Sequence, residues 1–137
     1  MRILLDTNVI LDYILSRKPY AESAGKIFDL IGREEIGAAV TANTITDIYF
    51  IVAKRLGDAS ARSALRDLLN LVAVVGVDGG DCVSALNLPM ADFEDALVVV
   101  CYGKEEIDCI VSNDKLFLQV DSALARVISP DDFLNRV

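Results

Sequence analysis

The chain has 137 residues, 53% of them hydrophobic, enough for one domain over residues 1–137 with a continuous core. Thirteen basic against 21 acidic residues leave a formal charge of −8, the wrong sign for a module that grips phosphate backbones nonspecifically, though a bound divalent ion would reverse the field locally. With no histidine, a His-based zinc site, a Ser-His-Asp triad and a Cys-His nucleophile are all excluded, so any chemistry rests on oxygen ligands.

Ile3–Leu5 reads as a buried strand that ends in Asp6, and Val9, Ile10, Tyr13 and Ile14 give a short helix over Val9–Leu15 one apolar face. Pro19 suits a helix start, and Ala24, Ile27, Phe28 and Ile31 stripe a helix over Tyr20–Arg33, with Glu22 and Lys26 paired four apart on its wetter side. Ile36–Thr41 is a second strand. Thr41 or Asn43 would cap the helix that follows, in which Ile45, Ile48, Tyr49, Val52 and Leu56 recur at helical spacing up to Gly57. Asp47 lies early in this helix, beside the stripe.

A helix over Ala59–Leu71 and a strand over Val72–Val77 come next, then a short helix over Asp81–Leu86 and another from about Ala91. Ile107–Ser112 is a further strand, Val127–Ile128 a short last one, and Pro130 opens a terminal helical turn. Strands alternating with helices argue for a parallel sheet covered on both faces. The apolar runs are too short to span a bilayer, and the amino terminus lacks a long apolar region and a small-residue cleavage pattern, so a cytoplasmic place is expected. Cys82, Cys101 and Cys109, odd in number and in apolar surroundings, read as reduced core residues.

Three acidic segments adjoin these strands and helices: Asp6 after the first strand, Asp92-Phe93-Glu94-Asp95 at a helix start, and Ser112-Asn113-Asp114 after a later strand. Each has an ordinary reading as a helix cap or turn. Together they would converge at the carboxyl edge of a parallel sheet, where α/β proteins place ligands. Asp92 and Asp95 share a helix face three residues apart, while Glu94 is read as solvated or bound to the helix end. The apolar Ala96–Cys101 segment beyond them predicts a central helix, with few reasons to carry idle charge at its mouth. Carboxylates held close repel unless a cation neutralises them; Mg2+ or Mn2+ does so with hard oxygen ligands and orients water against a phosphodiester. Asp6, Asp47, Asp95 and Asp114 suit that task, with Asp92 a nearby fifth acid and Ser112 a hydrogen-bonding support.

These segments closely resemble the PIN-domain nucleases, and among them the VapC-type toxin ribonucleases of toxin–antitoxin pairs. The likeness is carried by Leu5-Asp6-Thr7-Asn8-Val9, the Asp47 helix, Asp92–Leu97, Ile110–Asp114 and Ser129–Leu134, over essentially the whole chain. It implies a three-layer α/β/α sandwich with a central, mainly parallel sheet, and Mg2+- or Mn2+-dependent cleavage of RNA. It makes Asp6 and Asp95 the central metal ligands, Asp114 the fourth acid and Asp47 the second, with Thr7, Asn8 and Ser112 supporting them. It also implies a homodimer and an antitoxin whose basic, flexible tail crosses the acidic groove. Two departures stand out. Asp47 occupies a place where the family more often has glutamate, so its reach is shorter by about 1.5 Å, and Lys115-Leu116-Phe117 follows Asp114 without a further acid, so one ion is expected rather than two.

Other classes fit less well. Asn8 stands where an aspartyl-nucleophile phosphatase needs its second acid, and Gly76, Gly79 and Gly80 lack phosphate-loop spacing. The competing readings are a catalytically inactive PIN-like binding or scaffold protein and a PIN nuclease that is not a toxin. Arg17, Lys18, Lys54, Arg55 and Lys115 are read as surface cations before phosphate ligands, and Tyr13, Tyr20, Tyr49 and Phe50 as packing residues before base-stacking ones.

Overall fold

A computed structural model describes residues 1–137. Five parallel strands form one sheet in the order β3-β2-β1-β4-β5: β1 (Arg2–Leu5), β2 (Gly37–Thr41), β3 (Ala73–Val75), β4 (Cys109–Val111) and β5 (Val127–Ile128). The helices are α1 (Thr7–Ile14), α2 (Ala21–Gly32), α3 (Ala42–Leu56), α4 (Asp58–Leu71), α5 (Gly79–Leu86), α6 (Phe93–Lys104) and α7 (Pro130–Leu134), with one 3-10 turn at Phe117–Gln119.

Strand periodicity divides the core in two. Ile3 and Leu5 of β1, Ala38 and Val40 of β2, and Cys109 and Val111 of β4 face one side, where they meet buried residues of α1, α2, α3, α4 and α7. Leu4, Ala39, Val75 and Ile110 face the other side, against Val98, Val99 and Cys101 of α6, and α5 packs on α6 through Ala85, Ala96 and Leu97. The molecule is therefore the expected three-layer α/β/α sandwich. Helix α6 is central, as its apolar sequence implied: Ala96, Leu97, Val98, Val99 and Cys101 are all buried. No helix is long and apolar enough to cross a membrane. The cysteines are free thiols, Cys101 and Cys109 buried and Cys82 half-buried, and burial raises the pKa of the two inner ones.

Several boundaries differ from expectation for identifiable reasons. Helix α1 begins at Thr7 because the Asp6 carboxylate accepts the Thr7 amide at 2.9 Å, and α6 begins at Phe93 because Asp92 accepts the Asp95 amide at 3.0 Å. Helix α2 starts at Ala21, whose amide bonds to the Arg17 carbonyl, so Pro19 sits in the preceding turn. Neither Thr41 nor Asn43 caps α3. Thr41 occupies the capping position without a side-chain bond to the helix amides, its hydroxyl paired with that of Thr44 at 3.1 Å. The Glu22–Lys26 pair forms at 3.2 Å.

Candidate active site

Strand order decides where a site can form. β1 lies between β2 and β4, so successive connections leave it in opposite directions and open a crevice at its carboxyl end. Asp6 follows β1, Ser112–Asp114 follows β4, and the start of α3 follows β2 at this same edge. The Asp6 amide continues the ladder by donating to the Val111 carbonyl at 3.0 Å, and the Ser112 amide donates to Ile128 at 3.0 Å, so both turns are held in register.

Asp6 is buried and heavily bonded. Its Oδ2 accepts the Ser112 hydroxyl at 2.7 Å and Asn8 Nδ2 at 3.2 Å, while Oδ1 takes the Thr7 amide. Ser112 Oγ also accepts Asn8 Nδ2 at 3.3 Å and the Asp114 amide at 3.1 Å, which completes its hydrogen-bonding capacity and ties the two acid-bearing turns together. Thr7 does something different: its hydroxyl pairs with Thr44 Oγ1 at 3.0 Å and links α1 to α3. Asp114 is exposed, with Oδ1 capping its own turn at the Leu116 amide.

One member of this network escaped the sequence reading. Asp12 is only 2% exposed; it accepts Arg17 Nε at 2.8 Å and also the side-chain amide of Asn113. Arg17 further donates to the Asn8 carbonyl at 3.2 Å, and the Asn113 amide donates to Asn8 Oδ1 at 3.3 Å. A continuous chain of bonds thus runs from Asp12 through Asn113 and Asn8 to Asp6 and Ser112. The available signal was a lone charge in an apolar helix, four residues after Asn8 and therefore on its face.

The acids of α6 have few bonds and many like charges nearby. Burial raises the pKa of Asp95 to about 7, assisted by Asp92, Asp6, Asp114 and Glu94. Asp6 is also raised, by burial first and then by Asp114 and Asp92, against the lowering effect of its bonds to Ser112 and Thr7. Glu94 does not stand apart: its pKa is raised by partial burial and by the charges of Asp47, Asp92 and Asp6, which puts it in the electrostatic field of the cluster. It is exposed in the first turn of α6. Asp47, half-buried on α3, is raised by desolvation. Asn43, one turn before it, has a buried side-chain oxygen with no partner.

Oxygen donors whose charges oppose one another suit a hard divalent cation. The side chains as they stand, however, include no group of three or more acids close enough to hold one ion together. Beside them opens a trough of about 490 Å³ lined by Asp92, Asp95 and Asp114 together with Met90, Leu116 and Leu124. The largest cavity, about 600 Å³, lies at the opposite end of the strands around Met1 and Ile36 and has no part in this chemistry.

The family model described as PIN domain matches residues 2–116. The chain belongs to the PIN-domain family. No curated protein matches it by sequence. Among solved structures it is similar to a chain of VapBC2 from Rickettsia felis bound to a promoter DNA fragment, at 14% identity and a TM-score of 0.69 over 94% of this chain and 98% of that one. It is similar to VapC20 of Mycobacterium tuberculosis, described as a sarcin-ricin loop cleaving toxin, at 16% identity and 0.67 over 84% and 92%. DNA-bound VapBC from Salmonella typhimurium gives 16% identity and 0.69 over 95% and 98%. At these identities the likeness speaks for the fold.

Proposed function

We propose that this PIN-domain protein is a divalent-metal-dependent endoribonuclease, acting in the cytoplasm as the toxin of a toxin–antitoxin pair. The observation that carries the reading is Asp95, a carboxyl held near pKa 7 by burial and by four neighbouring acids at the carboxyl edge of a parallel sheet. Asp6, Asp95 and Asp114 would hold Mg2+ or Mn2+, with Asp47 reaching it through water. Bound there, such an ion supplies a polarised water and neutralises charge on the leaving oxygen of a phosphodiester.

The chain's own groups prepare that site. Ser112 and Asn8 fix the orientation of Asp6 by occupying Oδ2, Asp92 holds the first turn of α6 so that Asp95 is presented inward, and Asp95 keeps a proton below about pH 7. Occupants consistent with this reading are single-stranded or structured RNA in the groove and the basic tail of an antitoxin, to which a chain of net charge −8 is complementary. A homodimer is part of the same reading. The VapBC complexes among the structural relatives support the antitoxin partner of this reading.

The test is cleavage of RNA in Mg2+ or Mn2+ by the parent, Asp6→Asn and Asp95→Asn, with folding checked by circular dichroism. Removing a ligand that stabilises transition-state charge is expected to lower the rate about 100-fold or more. A scaffold reading draws on the absence of any three gathered acids. Folded parent protein that cuts no RNA with either ion would favour it.

A further inference from the structure

A protein of charge −8 that handles RNA must supply attraction locally, through cations not already committed to its own acids. Arg17 is committed to Asp12 and the Asn8 carbonyl. Lys104 is bound to Asp81 at 2.6 Å and to the Gly76 carbonyl, and Arg2, Lys26 and Arg62 are each paired with an acid. Lys115, immediately after Asp114, is exposed and in no ion pair.

The aromatic side chains sort in the same way. Tyr13 stacks on Phe28 with centroids 4.3 Å apart, Tyr49 bonds to Asp58 and packs edge-on to Phe50, and Phe117 and Phe133 are buried. Tyr20 is 44% exposed and pairs with no other ring. Lys115 and Tyr20 line a single cleft of about 250 Å³, formed by the start of α2, the turn after β4 and the start of α7. Asn113, Ser23 and Ser129 add polar groups to its wall, and Asn113 ties that wall to the acid network. Asp131, which accepts the Ser23 hydroxyl, places negative charge on the α7 side and confines any phosphate to the Lys115 side.

We propose that this cleft holds one nucleotide of single-stranded RNA flanking the bond to be cut, with its phosphate on Lys115 and its base against Tyr20. An unpaired cation and an open aromatic face within one small cleft are the elements of single-strand recognition. The volume falls below the roughly 300–1,000 Å³ of sites that enclose drug-sized ligands, in keeping with a single base. Residues of the same turn line both spaces, Asn113 and Lys115 this cleft and Asp114 and Leu116 the acidic trough, so a strand bound here lies beside the acids. The assignment rests on the ribonuclease reading for its substrate.

The experiment is fluorescence anisotropy of a short single-stranded RNA, with Ca2+ replacing Mg2+, for the parent, Lys115→Ala, Tyr20→Leu and Tyr20→Phe across a salt series, with cleavage followed in parallel in Mg2+ and Mn2+. Lys115→Ala should weaken binding and reduce the slope of log affinity against log salt by about 0.7. Tyr20→Leu should weaken binding about 5-fold or more with the slope unchanged, as loss of stacking predicts, and Tyr20→Phe should retain it. In cleavage both losses should appear in KM, with kcat retained. If the parent cuts RNA while Lys115→Ala and Tyr20→Leu bind within twofold of it, the subsite is wrong and the ribonuclease reading stands. If the parent binds through these two residues but does not cut, the reverse holds. A parent that neither binds nor cuts RNA overturns both.

Discussion

The two walls of the acidic crevice are built on opposite principles. On the β1/β4 side, Asp6, Asn8, Asp12, Ser112 and Asn113 satisfy one another through a closed set of hydrogen bonds, and the buried Asp12 has Arg17 as counterion. On the α6 side, Asp92, Glu94 and Asp95 face one another and Asp6 with no cation among their partners, and Asp95 responds by holding its proton to about pH 7. The first wall is tied together by hydrogen bonds within the protein, although burial and the charges of Asp114 and Asp92 still raise the pKa of Asp6. The second has no such internal partners, and in the proposed function a bound cation would neutralise it.

The contrast is broken most severely by removing Asp12. Asp12→Ala leaves Arg17 and Asn113 without their buried partner and should destabilise the fold by about 2–3 kcal/mol, less than for a fully enclosed pair because the Arg17 side chain is 37% exposed. Urea denaturation measures it. A change below about 0.5 kcal/mol, the range of an ordinary surface substitution, would mean that the network is incidental.

The opposite wall should respond with the opposite sign. Asp95→Asn removes a charge that its neighbours oppose, so in metal-free buffer at pH 8 the variant should melt at a higher temperature than the parent while losing cleavage. A lower melting temperature would contradict the repulsion assigned to this site.

The pH dependence of the parent sharpens the same point. Asp95 binds its proton more tightly folded than unfolded, and Asp6, Glu94 and Asp47 are shifted in the same direction. Between about pH 4 and pH 7 the native state therefore holds more protons than the unfolded chain, and stability falls as pH rises through that window. Thermal melts in EDTA should show a lower midpoint at pH 8 than at pH 5.5, and Mn2+ at pH 8 should recover it by binding the native state. The smallest effect is expected far from the crevice: Lys26→Ala breaks an exposed pair on α2 and should stay within about 0.5 kcal/mol of the parent in the same denaturation assay.

The sandwich was legible because its signals are local and repeated. Apolar runs at Ile3–Leu5, Ile36–Thr41 and Val127–Ile128 became strands, the stripe at Ala24–Ile31 became a buried helix face, and of the Ile45–Leu56 stripe Ile48 and Val52 are buried, Ile45 and Tyr49 half-buried and Leu56 exposed. The strand expected over Val72–Val77 shortened to Ala73–Val75 because its only partner, β2, ends at Thr41 opposite Val75, while the Val72 amide bonds back to Leu68 of α4. The crevice was partly legible: an acid after an apolar strand announces itself. Asp12 did not, because, although its spacing puts it on the face of Asn8, its bonds to Arg17 and Asn113 join α1 to the turns after α1 and β4.

Whether the acids of the two walls act together on one divalent cation, as proposed, is tested most directly by calorimetric titration of metal-free protein with Mn2+ near pH 7. The expected result is saturable binding by the parent, accompanied by proton release from Asp95 and abolished in Asp6→Asn and Asp95→Asn. A folded parent that takes up no Mn2+, or one whose uptake is unchanged in both variants, would contradict it.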